Sequence, residues 1–547
     1  MMNAPPAKTW LSILLKWVRP NWRNFMESGA LKIWVLSLLI GAVVGVAAII
    51  FREAIGIFQY WWLGNRSENT LTAAMNVSWY WILAAPVIGG FIVGQLLQNI
   101  SNRRCGGVAD VIEARALTGR PLDLKDGLWS ALLSAISLGS GASAGREGPV
   151  VHLGATLASV VAHRRKLPEW CSRTLLAAGV AAAISASFNA PIAGVLFAHE
   201  VILQHYAMRS FVPIVIASAM GSVLSRLWFG EAAAFIIPAY QITSYWEFPA
   251  FALLGIVAAL VAILFQFALF SADYLARGVT LPLWARPVIG GVFIGVMGVF
   301  YPHILGVGYE VTDKVLWNQL PLTLLVMLIV LKTVATAITL ASRFGGGIFS
   351  PALYLGALTG GAFGLIAASV FPNLASSQGL YAILGMGAVA GAVIGAPIST
   401  TVIVFELTGG YSLSIALLLS VAIAHGVNQA VHGHSYFHWQ LEMRGLFDHE
   451  GPHRQLMRTK MVMDFMDLPS EDEGEDQRIV DDNRNTPTLK PNDTLEHALR
   501  LFDAGGHQRL PVVDPRDATR IIAWATQMRA LSYFNKALIA ASVEEHR

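Results

Sequence analysis

Long apolar runs separated by short polar connections dominate the chain up to about residue 445. Runs of spanning length, or near it, cover about residues 31–52, 79–98, 211–228, 249–272, 288–301 and 320–341, where roughly 20 apolar residues are needed for one helix to cross a bilayer. Shorter runs at about 128–138, 150–161, 174–187, 190–203, 352–371 and 379–394 are punctuated by Gly or Pro. Interrupted helices are tolerated at membrane depth only where protein buries them or where they line a watery cavity. The pattern predicts an all-α polytopic membrane protein with broken helices, suited to transport rather than anchoring. After Met443 the composition turns polar, so residues 446–547 read as a separate small α/β domain. Its helical pattern, Leu495, Ala498, Leu499 and Phe502, ends at Gly505-Gly506. Strands follow at Leu510 to Val513 and Arg520 to Trp524 around the turn Asp514-Pro515-Arg516-Asp517, while the acidic residues within 470–484 read as a solvated loop.

Composition agrees with the pattern: of 547 residues 55% are hydrophobic and only 13% charged, too apolar for a soluble enzyme. A net charge of +3 gives no reason to expect a nucleic-acid partner. Its distribution is more informative. Lys8, Lys16, Arg19 and Arg23 precede the first span, and Arg103, Arg104, Arg115, Arg120 and Lys125 occupy the third connection. Basic connections mark the cytoplasmic side, which places the N-terminal segment 1–30 there and, with an even number of crossings, the C-terminal domain too. Trp10 to Trp22 reads equally as a helix on the membrane surface or as a basic tail. No cleavable signal peptide is evident. Cys105 and Cys171 make neither a disulfide framework nor a zinc-type spacing. His432, His434 and His438 read as membrane-interface histidines rather than metal ligands, and no cofactor is expected.

A weak duplication runs through the membrane part. Gly145-Arg146-Glu147-Gly148-Pro149-Val150-Val151-His152-Leu153-Gly154-Ala155 matches Gly347-Ile348-Phe349-Ser350-Pro351-Ala352-Leu353-Tyr354-Leu355-Gly356-Ala357 at Gly, Pro, Leu, Gly and Ala. Downstream, Ala190-Pro191-Ile192 stands eight residues before Glu200 as Ala396-Pro397-Ile398 stands before Glu406. The halves are about 31–230 and 249–445. Matching interrupted segments in two halves point to a binding site near the bilayer midplane. Glu200 and Glu406 read as buried structural acids with backbone partners rather than ion ligands.

The run Gly139 to Pro149 sets Arg146 and Glu147 among glycines inside apolar sequence, and charge at membrane depth is a functional signal. Its glycines free the backbone, and Pro149 suits the first turn of a helix. The run therefore predicts a helix start whose positive dipole end lies beside a carboxylate. Moving a small ion into a low-dielectric medium costs on the order of 20 kcal/mol, whereas one helix terminus contributes up to roughly 2 kcal/mol. Several N–H donors must then converge, and the starts at Glu147 and Ile348-Phe349 can supply them to an anion. Glu147 would compete with the anion, and protonation would release it. The alternative is a structural Arg146–Glu147 ion pair. A phosphate-binding loop is disfavoured, because the run lacks Lys-Ser/Thr and no catalytic set accompanies it.

These motifs closely resemble those of the CLC family of chloride channels and proton-coupled chloride transporters, over about residues 30 to 445. Gly145-Arg146-Glu147-Gly148-Pro149 is similar to the family's gating-glutamate signature, which implies a gate at Glu147 with Arg146 and Gly148 in the anion site. Gly346-Gly347-Ile348-Phe349-Ser350-Pro351 resembles the second anion signature and implies backbone donors at Ile348 and Phe349. Tyr436 resembles the pore tyrosine in order and distance. The resemblance implies an inverted repeat, a homodimer with one pore per subunit, and a place in a bacterial inner membrane; chloride and lipid are the implied partners.

Two departures from the family pattern stand out. Its usual Gly-Ser-Gly-Ile-Pro appears as Cys105-Gly106-Gly107-Val108-Ala109, so Gly106 replaces a serine donor, which implies weaker discrimination among chloride, bromide and nitrate, with backbone donors left at Gly106 and Gly107. Val201 occupies the place of the inner proton-relaying glutamate, and Glu200 lies about 100° away around a helix. An uncoupled, glutamate-gated anion channel is therefore the expected function, with proton-coupled antiport by another path as the alternative. The tail resembles one CBS motif through Val462 to Met466 and Leu510-Pro511-Val512-Val513-Asp514. Arg529 stands where the nucleotide-binding version carries an acid, so nucleotide regulation is not expected.

Overall fold

The computed structural model describes residues 7–27, 29–116, 121–231, 235, 237, 240–409, 413–446, 457, 460–468, 487–515 and 517–546. Two compact units divide the chain near Trp439. Helix α1 (Ala7–Glu27) contains the Trp10 to Trp22 segment and decides it in favour of a helix. The first half of the membrane unit then runs through α2 (Ala30–Leu63), α3 (Thr70–Met75), α4 (Trp79–Leu96), α5 (Val108–Ala116), α6 (Leu124–Gly139), α7 (Glu147–Arg164), α8 (Glu169–Phe188), α9 (Pro191–Phe197) and α10 (Met208–Phe229). The second half has α11 (Phe248–Gly278), α12 (Ala285–Phe300), α13 (Tyr309–Leu316), α14 (Leu322–Ala341), α15 (Phe349–Val370), α16 (Gln378–Ile394), α17 (Pro397–Thr408), α18 (Ser414–His432) and α19 (Tyr436–Glu442). Among the described residues, eight helices are long and apolar enough to cross a membrane.

The helix breaks fall where the local chemistry calls for them. Asn189 ends α8 in the left-handed conformation at φ 56°, and Gly395 ends α16 at φ 75°. Pro191 and Pro397 then open α9 and α17, at a position where the missing N–H costs nothing. Each exposed helix start is capped by the other half. Glu406 accepts from the N–H groups of Ile192 (3.1 Å) and Ala193 (2.7 Å), and Glu200 accepts from those of Ile398 (3.1 Å) and Ser399 (2.7 Å).

Close packing repeats the same relation. Helix α7 crosses α8 at Gly154 and Gly179, where a Cβ on either would come within 2.6 and 2.4 Å of the other's carbonyl oxygen. The repeat-related crossing of α15 and α16 uses Gly356 and Gly385, at 2.3 Å in both directions. Between the halves, a Cβ on Gly90 of α4 would lie 2.3 Å from the Pro287 carbonyl oxygen, and one on Gly291 of α12 would lie 2.3 Å from that of Pro86. Reciprocal contacts of this kind are the signature of a two-fold relation. The fold is an inverted repeat. Lipid tails are as apolar as leucine, so helices here associate through such backbone proximity rather than through the hydrophobic effect.

The C-terminal unit pairs β1 (Arg509–Asp514) antiparallel with β2 (Asp517–Thr526), with Leu510 opposite Ala525. Its core joins Val462, Phe465, Leu489, Leu495, Phe502 and Val512. The helix Leu495–Gly505 is capped by Thr494, whose hydroxyl accepts from the His497 N–H at 3.2 Å. Arg529 pairs with Asp467. The acidic stretch expected within 470–484 lies outside the described residues.

Gly385→Ala is expected to destabilise the membrane unit by about 1–3 kcal/mol, the usual cost of overpacking. Gly426→Ala in α18, with nothing within 4 Å of the added methyl, is expected to be neutral or to stabilise by up to about 1 kcal/mol. Thermal unfolding of the detergent-solubilised protein, followed by loss of the monodisperse chromatographic peak, checks both.

Candidate anion site

The two Gly-rich loops meet in a single antiparallel bridge. Gly145 N–H donates to the Gly347 carbonyl and Gly347 N–H to the Gly145 carbonyl, both at 2.7 Å. A Cβ on Gly347 would lie 2.9 Å from the Gly148 nitrogen, so neither loop tolerates a side chain there. Two residues past the bridge, α7 starts at Glu147 and α15 at Phe349. The bridge thus brings two helix starts, one per half, to one place inside the protein.

Glu147 is 1% exposed, and its carboxylate reaches across to the other half. Oε1 accepts from the Tyr309 hydroxyl (3.1 Å) and the Ser350 hydroxyl (2.5 Å), and Oε2 lies 3.4 Å from the Ser350 N–H. The N–H groups of Ile348 and Phe349, the two residues before Ser350, have no hydrogen-bond acceptor among the described residues, as expected for the first turn of a helix. Burying a carboxylate costs several kcal/mol after relaxation, and each hydrogen bond to a charged group returns about 1.5–3 kcal/mol. Three donors roughly balance the burial. A carboxylate held so marginally can be exchanged for another anion.

Arg146 does not pair with Glu147. It forms an ion pair with Glu68, donates to the Ser187 carbonyl at 3.2 Å, and lies 4.9 Å from the centre of the Tyr309 ring. Its expected role as an anion ligand is corrected to this extent: both terminal guanidinium nitrogens are engaged by protein, and among the described residues only Nε lacks a partner. Glu68 also pairs with Arg52 at 2.8 Å. These side chains, with Arg66 and Tyr309, line a cavity of about 360 Å³ beside the Glu147 site. Burial works against the ionised Glu68 carboxyl, but Arg146 and Arg52 outweigh it and hold its pKa below the ordinary carboxylate value.

The remaining expected residues are spread more widely. Gly106 N–H donates to the Ser130 hydroxyl and Gly107 N–H to Asp110 at 2.8 Å, so these two backbone donors are taken by protein instead of facing an anion. Gly148 sits in the first turn of α7, against Gly347. The Phe349 ring packs on Phe188 and Phe197, with centroids 5.0 and 6.4 Å away. Tyr436 opens α19 with its ring 5.3 Å from that of Phe270. Val201 is buried, two residues after a fully buried His199 whose Nε2 has no hydrogen-bond partner among the described residues. His438 bonds Ser435 and Gln204. Sequence reading missed Tyr309, Ser350 and Glu68 as partners. Ser350 lay inside the second motif, and the Gly306-Val307-Gly308-Tyr309 turn was a usable signal; Glu68, in an ordinary polar connection, offered none.

Residues 89–429 match the family model described as Voltage gated chloride channel. A ClcB-like chloride channel protein of Ralstonia nicotianae is 30% identical over 387 residues, covering 70% of this chain and 90% of its own length. The voltage-gated ClC-type chloride channel ClcB of Escherichia coli is 29% identical, covering 73% and 97%. In fold, the chain is similar to the crystal structure of a slow cyanobacterial Cl-/H+ antiporter, with a TM-score of 0.67 at 22% identity, covering 76% of this chain and 98% of that one.

Removing Glu68 leaves Arg146 buried without its carboxylate. Glu68 is 39% exposed, so solvent screens its ion pairs, and Glu68→Gln is expected to cost about 1–3 kcal/mol rather than the full penalty of a buried pair. Because the folded pKa is depressed, the Glu68 contribution is complete above the unfolded carboxylate value and is lost as pH falls through the lower folded one. Thermal unfolding at pH 7 and near pH 3 should show the variant losing less stability on acidification than the parent.

Proposed function

The chain belongs to the Voltage gated chloride channel family of CLC anion transporters and is an integral multi-pass membrane protein, and on that footing we propose that it conducts chloride or similar small anions passively, with Glu147 as the gate. The carrying observation is the Glu147 carboxylate held by Ser350 and Tyr309 beside the N–H groups of Ile348 and Phe349, which have no acceptor among the described residues. A carboxylate in that position blocks a permeant anion and mimics it. Protonation weakens it as an acceptor and frees the donors. Low affinity at each point of the path favours conduction, since an ion must leave as well as enter.

The nearby charges support a route to this gate. Arg52, Arg66 and Arg146 line the cavity beside it with Glu53 and Glu68, three cations against two anions, and a field of net positive sign concentrates anions at a mouth. Uncoupled conduction is preferred over proton-coupled antiport because Val201, buried and apolar, offers no proton site where coupled relatives carry a glutamate. We place residues 1–30 and the C-terminal domain in the cytoplasm of a bacterial inner membrane on the basic-residue distribution, and we take the active form to be a homodimer.

Purified protein in liposomes loaded with chloride, with external pH recorded during efflux, tests the proposal. We expect chloride efflux without stoichiometric proton movement, rising as pH falls. Glu147→Gln should flatten that pH dependence and raise flux at neutral pH by about tenfold, the weight of one charged hydrogen bond. Uphill proton movement driven by a chloride gradient would replace the channel with an antiporter, and unchanged flux and pH dependence in Glu147→Gln would remove the gate.

A further inference from the structure

Lys332 sits near the middle of α14, inside the apolar run 320–341, and is fully buried. A cation at that depth is expensive and marks a function. Among the described residues no carboxylate pairs with it. Its Nζ donates instead to two backbone carbonyls of one short turn, those of Ile304 (3.0 Å) and Gly306 (2.9 Å), and lies 5.0 Å from the centre of the Tyr354 ring. The Tyr354 hydroxyl donates to the His303 carbonyl of the same turn at 3.2 Å. Three carbonyls of residues 303–306 are thus held from α14 and α15. The turn has little stiffness of its own, because Gly306 and Gly308 stand at φ 62° and 95°, where glycine moves freely. It is also pressed onto its holders: a Cβ on Gly308 would lie 2.6 Å from Tyr354 Cδ2 and 3.6 Å from Lys332 Nζ. Gly308 caps α13, and the first residue of α13 is Tyr309, whose hydroxyl donates to Glu147.

We propose that Lys332 is a positioning residue for the gate: its ammonium fixes the turn 303–308 so that Tyr309 presents its hydroxyl to the Glu147 carboxylate. The proposal rests on the reading of Glu147 as the gate, and Lys332 acts on that gate through Tyr309 alone. An ammonium suits the task. It carries three N–H donors on one atom, and charge-assisted bonds to carbonyls are stronger than those from an amide or a hydroxyl. A donor to an ionised carboxylate favours the ionised form, so Tyr309 held in place keeps Glu147 charged, and the path closed, down to lower pH. The other charged groups around the gate and the turn are engaged elsewhere. Arg146 and Arg52 pair with Glu68, and α13 carries Glu310 and Lys314, paired at 3.5 Å, beside Asp313. His303 is the titratable residue of the turn itself; it is bound through its carbonyl, and its ring stays in every variant compared below.

The test records chloride flux from liposomes holding the full-length protein across a pH series, with monodisperse elution as the check that each variant is folded. Tyr309→Phe should move the midpoint of activation up by about one pH unit, a tenfold change in proton activity, as expected for the loss of one donor to a charged group. Lys332→Met, of similar length but without charge or donors, should move it in the same direction by about as much. Tyr354→Phe, which releases only the His303 carbonyl, should move it by less and carries the test should Lys332→Met fail to fold. Combining Lys332→Met with Tyr309→Phe should give the shift of Tyr309→Phe alone, because the two act through one contact and do not add. Full addition of the two shifts, or a parental midpoint in Lys332→Met and Tyr354→Phe while Tyr309→Phe moves, would make Lys332 a packing residue and overturn the inference. An unmoved midpoint in Tyr309→Phe would overturn it and leave the gate in place. A pH dependence that survives Glu147→Gln unchanged would remove the gate reading itself, and this inference with it.

Discussion

Two hydrogen bonds between Gly145 and Gly347, each 2.7 Å long, hold the start of α7 against the start of α15. Neither helix alone could stabilise an ion at membrane depth, because one terminus contributes up to roughly 2 kcal/mol against a transfer cost on the order of 20 kcal/mol. Joining them adds the donors. The chain can bridge these loops only because both are glycine, and it can bring the helices so close only because Gly154, Gly179, Gly356 and Gly385 let the backbones behind them touch. Each of these constraints appears twice, once per half. The reciprocal capping by Glu200 and Glu406 extends the same two-fold logic to the next pair of helix starts.

A buried carboxylate at such a point is unstable by design. Its three donors come from the other half of the protein, so whatever loosens the contact between halves also loosens Glu147. Arg146, adjacent in sequence, is turned away to Glu68 and the cavity beside Tyr309. That separation matters chemically: an Arg146–Glu147 ion pair would hold the carboxylate too firmly for exchange, whereas hydroxyls and a backbone N–H hold it about as well as they would hold a halide.

The repeat, the helix breaks and Glu147 were legible in the sequence because each has a local cause: proline at a first turn, Asn or Gly in the left-handed cap, charge among glycines. The two strands and helix of the C-terminal unit were legible for the same reason. What the sequence hid was non-local. Tyr309 lies 162 residues from Glu147 and Ser350 lies 203, and no periodicity announces a contact at that separation. Gly106 was read as a lost donor against the family's serine; what the sequence could not show is that the His152 ring, on a different helix, occupies the space a side chain there would need. The expected backbone donors at Gly106 and Gly107 were misjudged because Ser130 and Asp110 reach them first.

The central claim is that Glu147 occupies an anion site made by both halves. Anomalous diffraction from bromide-soaked crystals of Glu147→Gln tests it most directly. The account predicts a bromide peak within hydrogen-bonding distance of the Ser350 N–H and hydroxyl and the Tyr309 hydroxyl, at the place the carboxylate leaves. Bromide found elsewhere in the membrane unit, with no peak at those donors, would contradict it.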